Sequence, residues 1–361
     1  MKVLFWVPYP TQGPSNRFRV EQYLPYLASR GIEYCLRPFW QDKAYAILFE
    51  NGHYLKKIYY FVKGTLGRFK DLVNLSDYDI IFVHREAYPI GGALLESLVF
   101  KKKPLIYDFD DALFLTNPYS STNRIANFLK SPGKTAKILK ISSIVIAGNS
   151  YLKEYAMRFN KNATVIHTPI DSDRYAFSQK PINNSKVVIG WIGTYASSRY
   201  LGYYLDLFGK LIEKYGSGIE IRLVGSLNHG LKSRQLIYKK WALEEEVNDL
   251  QDFDIGIMPV VDDDWGKGKC AFKIIQYMAV GASVVASPIG MNKEIIRDGE
   301  NGFLASGKEE WRRKISALIE NRQLRNDFSL KGRETVEKFY SVKVMAPQFA
   351  GILERTYENR P

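Results

Sequence analysis

Short, unbroken apolar runs recur along the whole chain and are separated by stretches with helical spacing. In the first half, residues 3–7, 34–37, 80–83, 105–108 and 143–147 read as strands. Their apolar character is continuous rather than alternating, which predicts parallel strands covered on both faces. Helical patterns lie between them, at about 16–30, around 91–100 and at 122–140. Gly31 follows the first of these at the position that a left-handed cap favours. The second half repeats the rhythm. Strands are predicted at 187–192, 219–224, 253–258, 283–286 and near 302–304, with a helix at 198–215 and a charged helical tail at 308–361. Strands alternating with helices predict an α/β chain of two doubly wound, Rossmann-like domains.

A length of 361 residues fits two such domains. The polar, proline-containing stretch 178–186 reads as the linker. The expected division is therefore an N-terminal domain at 1–177, a C-terminal domain at 187–340, and a final helix at 341–361 packing back toward the first domain.

Charge changes the picture next. Residues 1–182 hold 25 Lys and Arg against 15 Asp and Glu, whereas 183–361 hold 26 against 23. The basic excess belongs to the first half and suits an anionic partner such as a lipid headgroup surface or a lipid-linked phosphate. Within residues 44–75, Tyr54, Leu55, Ile58, Tyr59, Phe61, Val62, Leu66 and Phe69 alternate with Lys56, Lys57, Lys63, Arg68 and Lys70. That mixture fits either a helix lying on an anionic membrane or an inward-facing helix with a basic outer side. Gly52, Gly64 and Gly67 argue against one unbroken helix there.

Other classes recede. Cys35 and Cys270 fall in different predicted domains, so no disulfide framework or zinc site is indicated and a reducing cytoplasm is the expected compartment. No apolar run is long enough to span a membrane. The four histidines, His53, His84, His167 and His229, show no metal-ligand spacing, no nucleophile elbow is present, and no nucleic-acid-binding motif occurs.

Four loops carry candidate chemistry. After the first strand, residues 8–19 contain Gly13 and a helix start, with Ser15 as the expected cap. Arg17 and Arg19 in that first turn oppose the helix dipole, which suggests an anionic ligand. Asp108, Asp110 and Asp111 follow the fourth strand, where open α/β sheets bind ligands. These carboxylates could hold a metal, act in acid–base chemistry or bind sugar hydroxyls. Gly193, Thr194 and Arg199 open the second domain in a strand–glycine–helix arrangement suited to a diphosphate. The fourth loop is rich in glycine and lysine: Lys267, Lys269 and Lys273 lead into a helix that ends at Gly281. Lys269, Lys273 and Gln276 share one helical face, where ammoniums suit a diphosphate and an amide suits ribose hydroxyls.

The run 273–287, with Pro288, Gly290, Glu294, Gly299 and the Asn-Gly-Phe-Leu of 301–304, resembles the donor site of family 4 retaining glycosyltransferases. The resemblance extends more loosely through Gly13, residues 107–112, 147–150 and 167–171. It implies a GT-B fold, with two Rossmann-like domains facing across a cleft, and a nucleotide diphosphate sugar, UDP- or GDP-linked, bound by the C-terminal domain. It further implies that no metal or other cofactor is required. The acceptor expected is a cell-envelope polysaccharide, lipopolysaccharide or lipid-linked glycan, met in the cytoplasm or at the inner face of the membrane. In that frame Asp108, Asp110, Asp111, Arg199 and Lys273 are the candidate catalytic residues. Gly13, Gly193, Thr194, Arg199, Lys267, Lys269, Lys273 and Gln276 are the candidate donor-binding residues. The sequence departs from the family where two glutamates are usual, since Gly268 and Gln276 stand there. An epimerase of the same fold, and a binding module with a decayed donor site, are the alternatives.

Overall fold

The structure is a computed structural model that describes residues 1–115, 133–178, 186–226 and 228–359. It divides into two compact units, Met1–Pro169 with Val342–Pro361, and Ile170–Ser341. The division falls earlier than residue 177 because residues after 169 are bonded into the second unit. Ile170 N–H donates to Tyr340 O at 2.9 Å, and Arg333 donates to the carbonyls of Ser172 and Tyr175 at 2.9 and 2.8 Å. Of the expected linker, residues 179–185 lie outside the described residues.

In the first unit, β1 (Lys2–Val7), β2 (Glu33–Pro38), β3 (Ile80–His84), β4 (Leu105–Phe109), β5 (Ile144–Ala147) and β6 (Ala163–Val165) form one parallel sheet. Its order is β2-β1-β3-β4-β5-β6, so connections diverge between β1 and β3. β1, β3 and β4 are almost wholly buried, as their unbroken apolar character requires. The helix Val342–Glu358 contributes Met345, Phe349 and Leu353 to the core made by Phe5, Phe82 and Tyr23. Phe349 stacks on Tyr23 with ring centroids 4.3 Å apart.

Three local expectations are corrected. The helix expected at 16–30 is broken into Pro14–Arg19, a short 3-10 turn and Leu24–Ser29. Pro25, which has no N–H to donate, lies in the first turn of the last piece. Gly31 closes that piece in the left-handed conformation at φ +70°, with Ile32 N–H bonded to Leu27 O at 3.0 Å. Gly13, not Ser15, precedes the first helix, and Pro14 opens it. Tyr54–Val73 is one unbroken helix of 20 residues despite its glycines. At Gly64 the helix passes so close to the residue after β2 that a Cβ would lie 2.8 Å from Phe39 O. Most of the helix expected at 122–140 lies outside the described residues, which show Lys134–Ile141.

In the second unit, β7 (Val187–Ile192), β8 (Ile219–Val224), β9 (Leu236–Lys239), β10 (Ile255–Met258), β11 (Ser283–Ala286) and β12 (Phe303–Leu304) form a parallel sheet in the order β12-β11-β10-β7-β8-β9. Connections diverge between β7 and β10, where Gly190 pairs with Gly256. Both glycines make room for rings. A Cβ on Gly190 would sit 2.0 Å from Phe253 Cγ, and one on Gly256 would sit 2.3 Å from Tyr277 Cγ.

Candidate functional site

Ligands of open α/β sheets sit beyond the carboxyl ends of the strands, where connections diverge. In the second unit those ends are Ile192 on β7 and Met258 on β10. Tyr277, from the helix Phe272–Val280, joins them: its Oη accepts from Ile192 N–H at 3.1 Å and donates to Ile257 O at 3.4 Å. Burial pushes the Tyr277 phenol well above its usual range, against the opposing pull of the Ile192 bond. It therefore stays a neutral hydroxyl that can serve both strands.

Immediately after β7, Gly193 donates its N–H to Val224 O at 3.1 Å. A Cβ on Gly193 would lie 2.6 Å from the Trp191 ring and 2.8 Å from Lys273 Cε. Gly225, at φ +73°, packs against the same turn, and its Cβ would lie 2.2 Å from Gly193 O. Thr194 caps the next short helix in a capping box with Ser197, its N–H donating to Ser197 Oγ at 3.1 Å. Arg199 is exposed at the start of the turn that follows.

Lys273 thus lies across the glycine turn, with Nζ 5.6 Å from the centroid of the Trp191 ring. Lys269 sits over Trp265 at 4.8 Å. Lys267 pairs with Asp264 at 3.1 Å at the exposed surface. Asp263 caps the same short helix by accepting from Gly266 N–H at 2.6 Å. The lysine-rich loop reaches the long helix through Ala271, a non-glycine residue at φ +49°. Such conformations cost about 1–3 kcal/mol and cluster at functional sites.

Gln276 points elsewhere than expected. It is buried, and its Nε2 donates to Glu246 Oε1 at 3.5 Å. The same buried carboxylate accepts from Tyr175 Oη and, through Oε2, from the Trp241 indole at 2.8 Å. Sequence reasoning missed Glu246, Trp241, Gly225 and Tyr277. Only Gly225 left a signal, a glycine directly after a strand.

The first unit gathers charges at the ends of β1, β3 and β4. Asp108 is fully buried, with Arg19 bonded to both of its carboxylate oxygens. His84 Nδ1 lies 2.6 Å from Asp108 Oδ2, and Arg19 also donates to Ile166 O at 2.6 Å. Burial alone would raise the Asp108 carboxyl, but Arg19 and His84 outweigh it and hold it below the usual range. Arg17 and Arg19 fall in the last turn of the short first helix rather than in its first turn, so neither opposes the dipole, and Arg19 is answered by an internal carboxylate. Asp110 reaches the surface with 13% exposure and accepts from Arg85 Nε at 2.6 Å. Burial again works against ionisation there, and Arg85 and then His84 overcome it to push the carboxyl far down. Arg85 itself stands at φ +63°. Asp111 is partly exposed and accepts from Ala112 N–H at 3.2 Å. Gly13 lies against Tyr9, whose Cβ would be 2.5 Å from a Cβ on Gly13, and burial pushes the Tyr9 phenol up to about 12.

Residues 186–321, most of the second unit, match the family model "Glycosyl transferases group 1". Over that stretch the second unit is similar to group 1 glycosyltransferases. The likeness extends beyond it: over 306 residues the chain is 24% identical to an "uncharacterized glycosyltransferase" of Methanocaldococcus jannaschii, covering 77% of this chain and 76% of that protein. Solved structures share the fold of the whole chain. Sucrose-phosphate synthase from Thermosynechococcus elongatus has a TM-score of 0.72 at 12% identity, covering 99% of both chains. A glycosyltransferase from Rickettsia africae has 0.70 at 14%, covering 100% of this chain and 99% of that one. HepE from Anabaena, in complex with UDP-glucose, has 0.68 at 17%, covering 98% and 100%. The two parallel six-stranded sheets and these likenesses give the chain the GT-B fold.

Proposed function

We propose that this glycosyltransferase moves a hexose from a UDP- or GDP-sugar to a cell-envelope polysaccharide, lipopolysaccharide or lipid-linked acceptor, with retention at the anomeric carbon and without a metal. One observation carries the donor assignment. Lys273 lies across the Gly193 turn at the point where the second sheet's connections diverge. A diphosphate set against that turn would meet backbone without a side chain and an ammonium held in place by Trp191. Lys269 and Arg199 would add charge from the flanking loops. Fixed cations beside a departing diphosphate stabilise the charge that develops as the glycosidic bond breaks. That support favours an oxocarbenium-like transition state. HepE, which shares the fold, was solved with UDP and with UDP-glucose, which favours UDP for the first trial.

In the first unit, Asp110 lies just beyond β4 and is partly exposed, so that it would orient a sugar hydroxyl, and Arg85 keeps it ionised. Asp108 would act behind it by fixing His84 and Arg19. The basic charge of the first half and the lipid-linked acceptor together favour a peripheral position at the inner face of the membrane.

Calorimetric titration with UDP, GDP, CMP, dTDP and ADP tests the donor assignment. One diphosphate should bind selectively, and Lys273→Ala should weaken that binding by at least about tenfold. Absence of binding to every nucleotide would overturn it. Incubation with the matching sugar nucleotide alone separates transfer from epimerisation, because only an epimerase converts the donor without an acceptor.

A further inference from the structure

The helix Tyr54–Val73 turns much of its apolar surface outward. Its inward side carries Phe61, packed against the rings of Phe39, Trp40 and Tyr88, together with Gly64, Arg68 and Asp71. Arg68, buried, donates to the carbonyls of Ala87, Arg37 and Val7 at 2.8, 3.1 and 3.1 Å. Asp71 accepts from the Trp6 indole at 2.8 Å. The opposite side carries Leu55, Ile58, Val62, Leu66, Phe69 and Val73, spaced by three or four residues and therefore in one stripe. Every one of them is exposed, from 48% at Val62 to 85% at Leu55. A stripe along 20 residues runs about 30 Å. An apolar surface of that extent marks a site of interaction.

The charges beside it indicate the partner. Lys56, Lys63 and Lys70 are exposed and recur every seven residues, so they form a row along one flank of the stripe. The only acidic residue of the helix, Asp71, is turned inward. The next helix of the unit, Leu94–Phe100, lies on the same face of the sheet, because the crossovers β2 to β3 and β3 to β4 run in the same direction and are right-handed. It exposes Leu94, Leu98 and Phe100 and is followed by exposed Lys101 and Lys102.

We propose that this face docks on an anionic lipid bilayer, with the stripe at the acyl boundary and the lysine row at the headgroups. A second copy of the chain is the poorer occupant, since two-fold pairing would set one acid-free basic face against another. The proposal rests on the reading above for what the protein meets there, a lipid-linked acceptor. The docking itself is measured without donor or acceptor.

The full chain is to be sedimented with vesicles of phosphatidylcholine alone and of phosphatidylcholine with phosphatidylglycerol. Binding is expected on the anionic vesicles only. A variant carrying Lys56→Gln, Lys63→Gln and Lys70→Gln should bind on the order of a hundredfold more weakly, from about fivefold for each lysine. A variant carrying Leu55→Ser, Leu66→Ser and Phe69→Ser should lose binding and keep its melting temperature, because all three side chains are exposed. Failure of the wild-type protein to bind anionic vesicles would overturn the proposal. So would a stripe variant that binds as well as wild type, or wild-type self-association abolished in that variant without vesicle binding. Nucleotide titration of the same proteins reports the donor site separately, so a failure there leaves the docking result standing.

Discussion

Lys273 and Gly193 are in contact: the lysine Cε lies 2.8 Å from where a Cβ on Gly193 would be. The turn and the helix start are thus fitted to each other before any ligand arrives, and the two residues should fail together. Lys273→Ala is expected to weaken nucleoside diphosphate binding by at least about tenfold, roughly 1.4 kcal/mol, in calorimetry. Its thermal stability should change little, because the side chain is only partly buried. Affinity equal to wild type would remove Lys273 from the site.

Gly193→Ala should destabilise as well as disable. The new methyl meets the Trp191 ring at 2.6 Å, and Trp191 is buried and cannot move aside. Overpacking of this kind costs about 1–3 kcal/mol. Gly225→Ala should cost more, since it adds a positive φ to a clash with the Gly193 carbonyl at 2.2 Å. Chemical denaturation should rank the three proteins in that order.

Gln276 stands where the resembled family has a glutamate, and Glu246 explains why the family residue would not fit. Gln276→Glu would place a second carboxylate against the buried Glu246. Loss of stability is expected, because one of the two groups must stay protonated or both must move. The double variant Gln276→Glu with Glu246→Gln should recover most of that loss. A double-mutant cycle reads the coupling directly, and additive effects would show that the two side chains do not interact.

Acid should act on the first unit through Asp108 and Asp110. Both carboxyls are held below their ordinary value of 3.8. A depressed carboxyl contributes stability that is present above its unfolded value and is lost as pH falls through the folded value. Unfolding titrations should therefore show stability declining as pH drops below about 4, and Asp108→Asn should flatten that decline. Asp108→Ala leaves the buried Arg19 without its counter-charge and should cost about 3–5 kcal/mol.

Much of this architecture is legible in the sequence, because strands buried on both faces read as nearly unbroken apolar runs, with polar residues such as His84 and Asp108 near their carboxyl ends. β6 and β9 escaped notice for the opposite reason: they are three- and four-residue edge strands, mostly half-buried. The donor loops were recognisable from glycine and lysine at strand ends. Their internal fit was not. Arg19 finds its partner Asp108 across 89 positions, and Gln276 finds Glu246 across 30, so no local pattern joins them. The long helix was misjudged because glycine propensity, a matter of about 1 kcal/mol per residue, yields to a close helix–sheet approach at Gly64. Nothing in the amino-acid order showed that its apolar side faces outward. Direction had to come from the seating of Arg68 and Asp71.

The first unit takes its closing helix, Val342–Glu358, from beyond the whole of the second. On the ribosome, β1 to β6 emerge first but wait through the synthesis of residues 170–341 before Phe349 can stack on Tyr23. During that interval the apolar patch around Phe5 and Phe82 is uncovered, which gives chaperones a window and gives a premature stop late in the message an unexpected victim. Such a truncation would leave the later-made domain intact and cripple the earlier one.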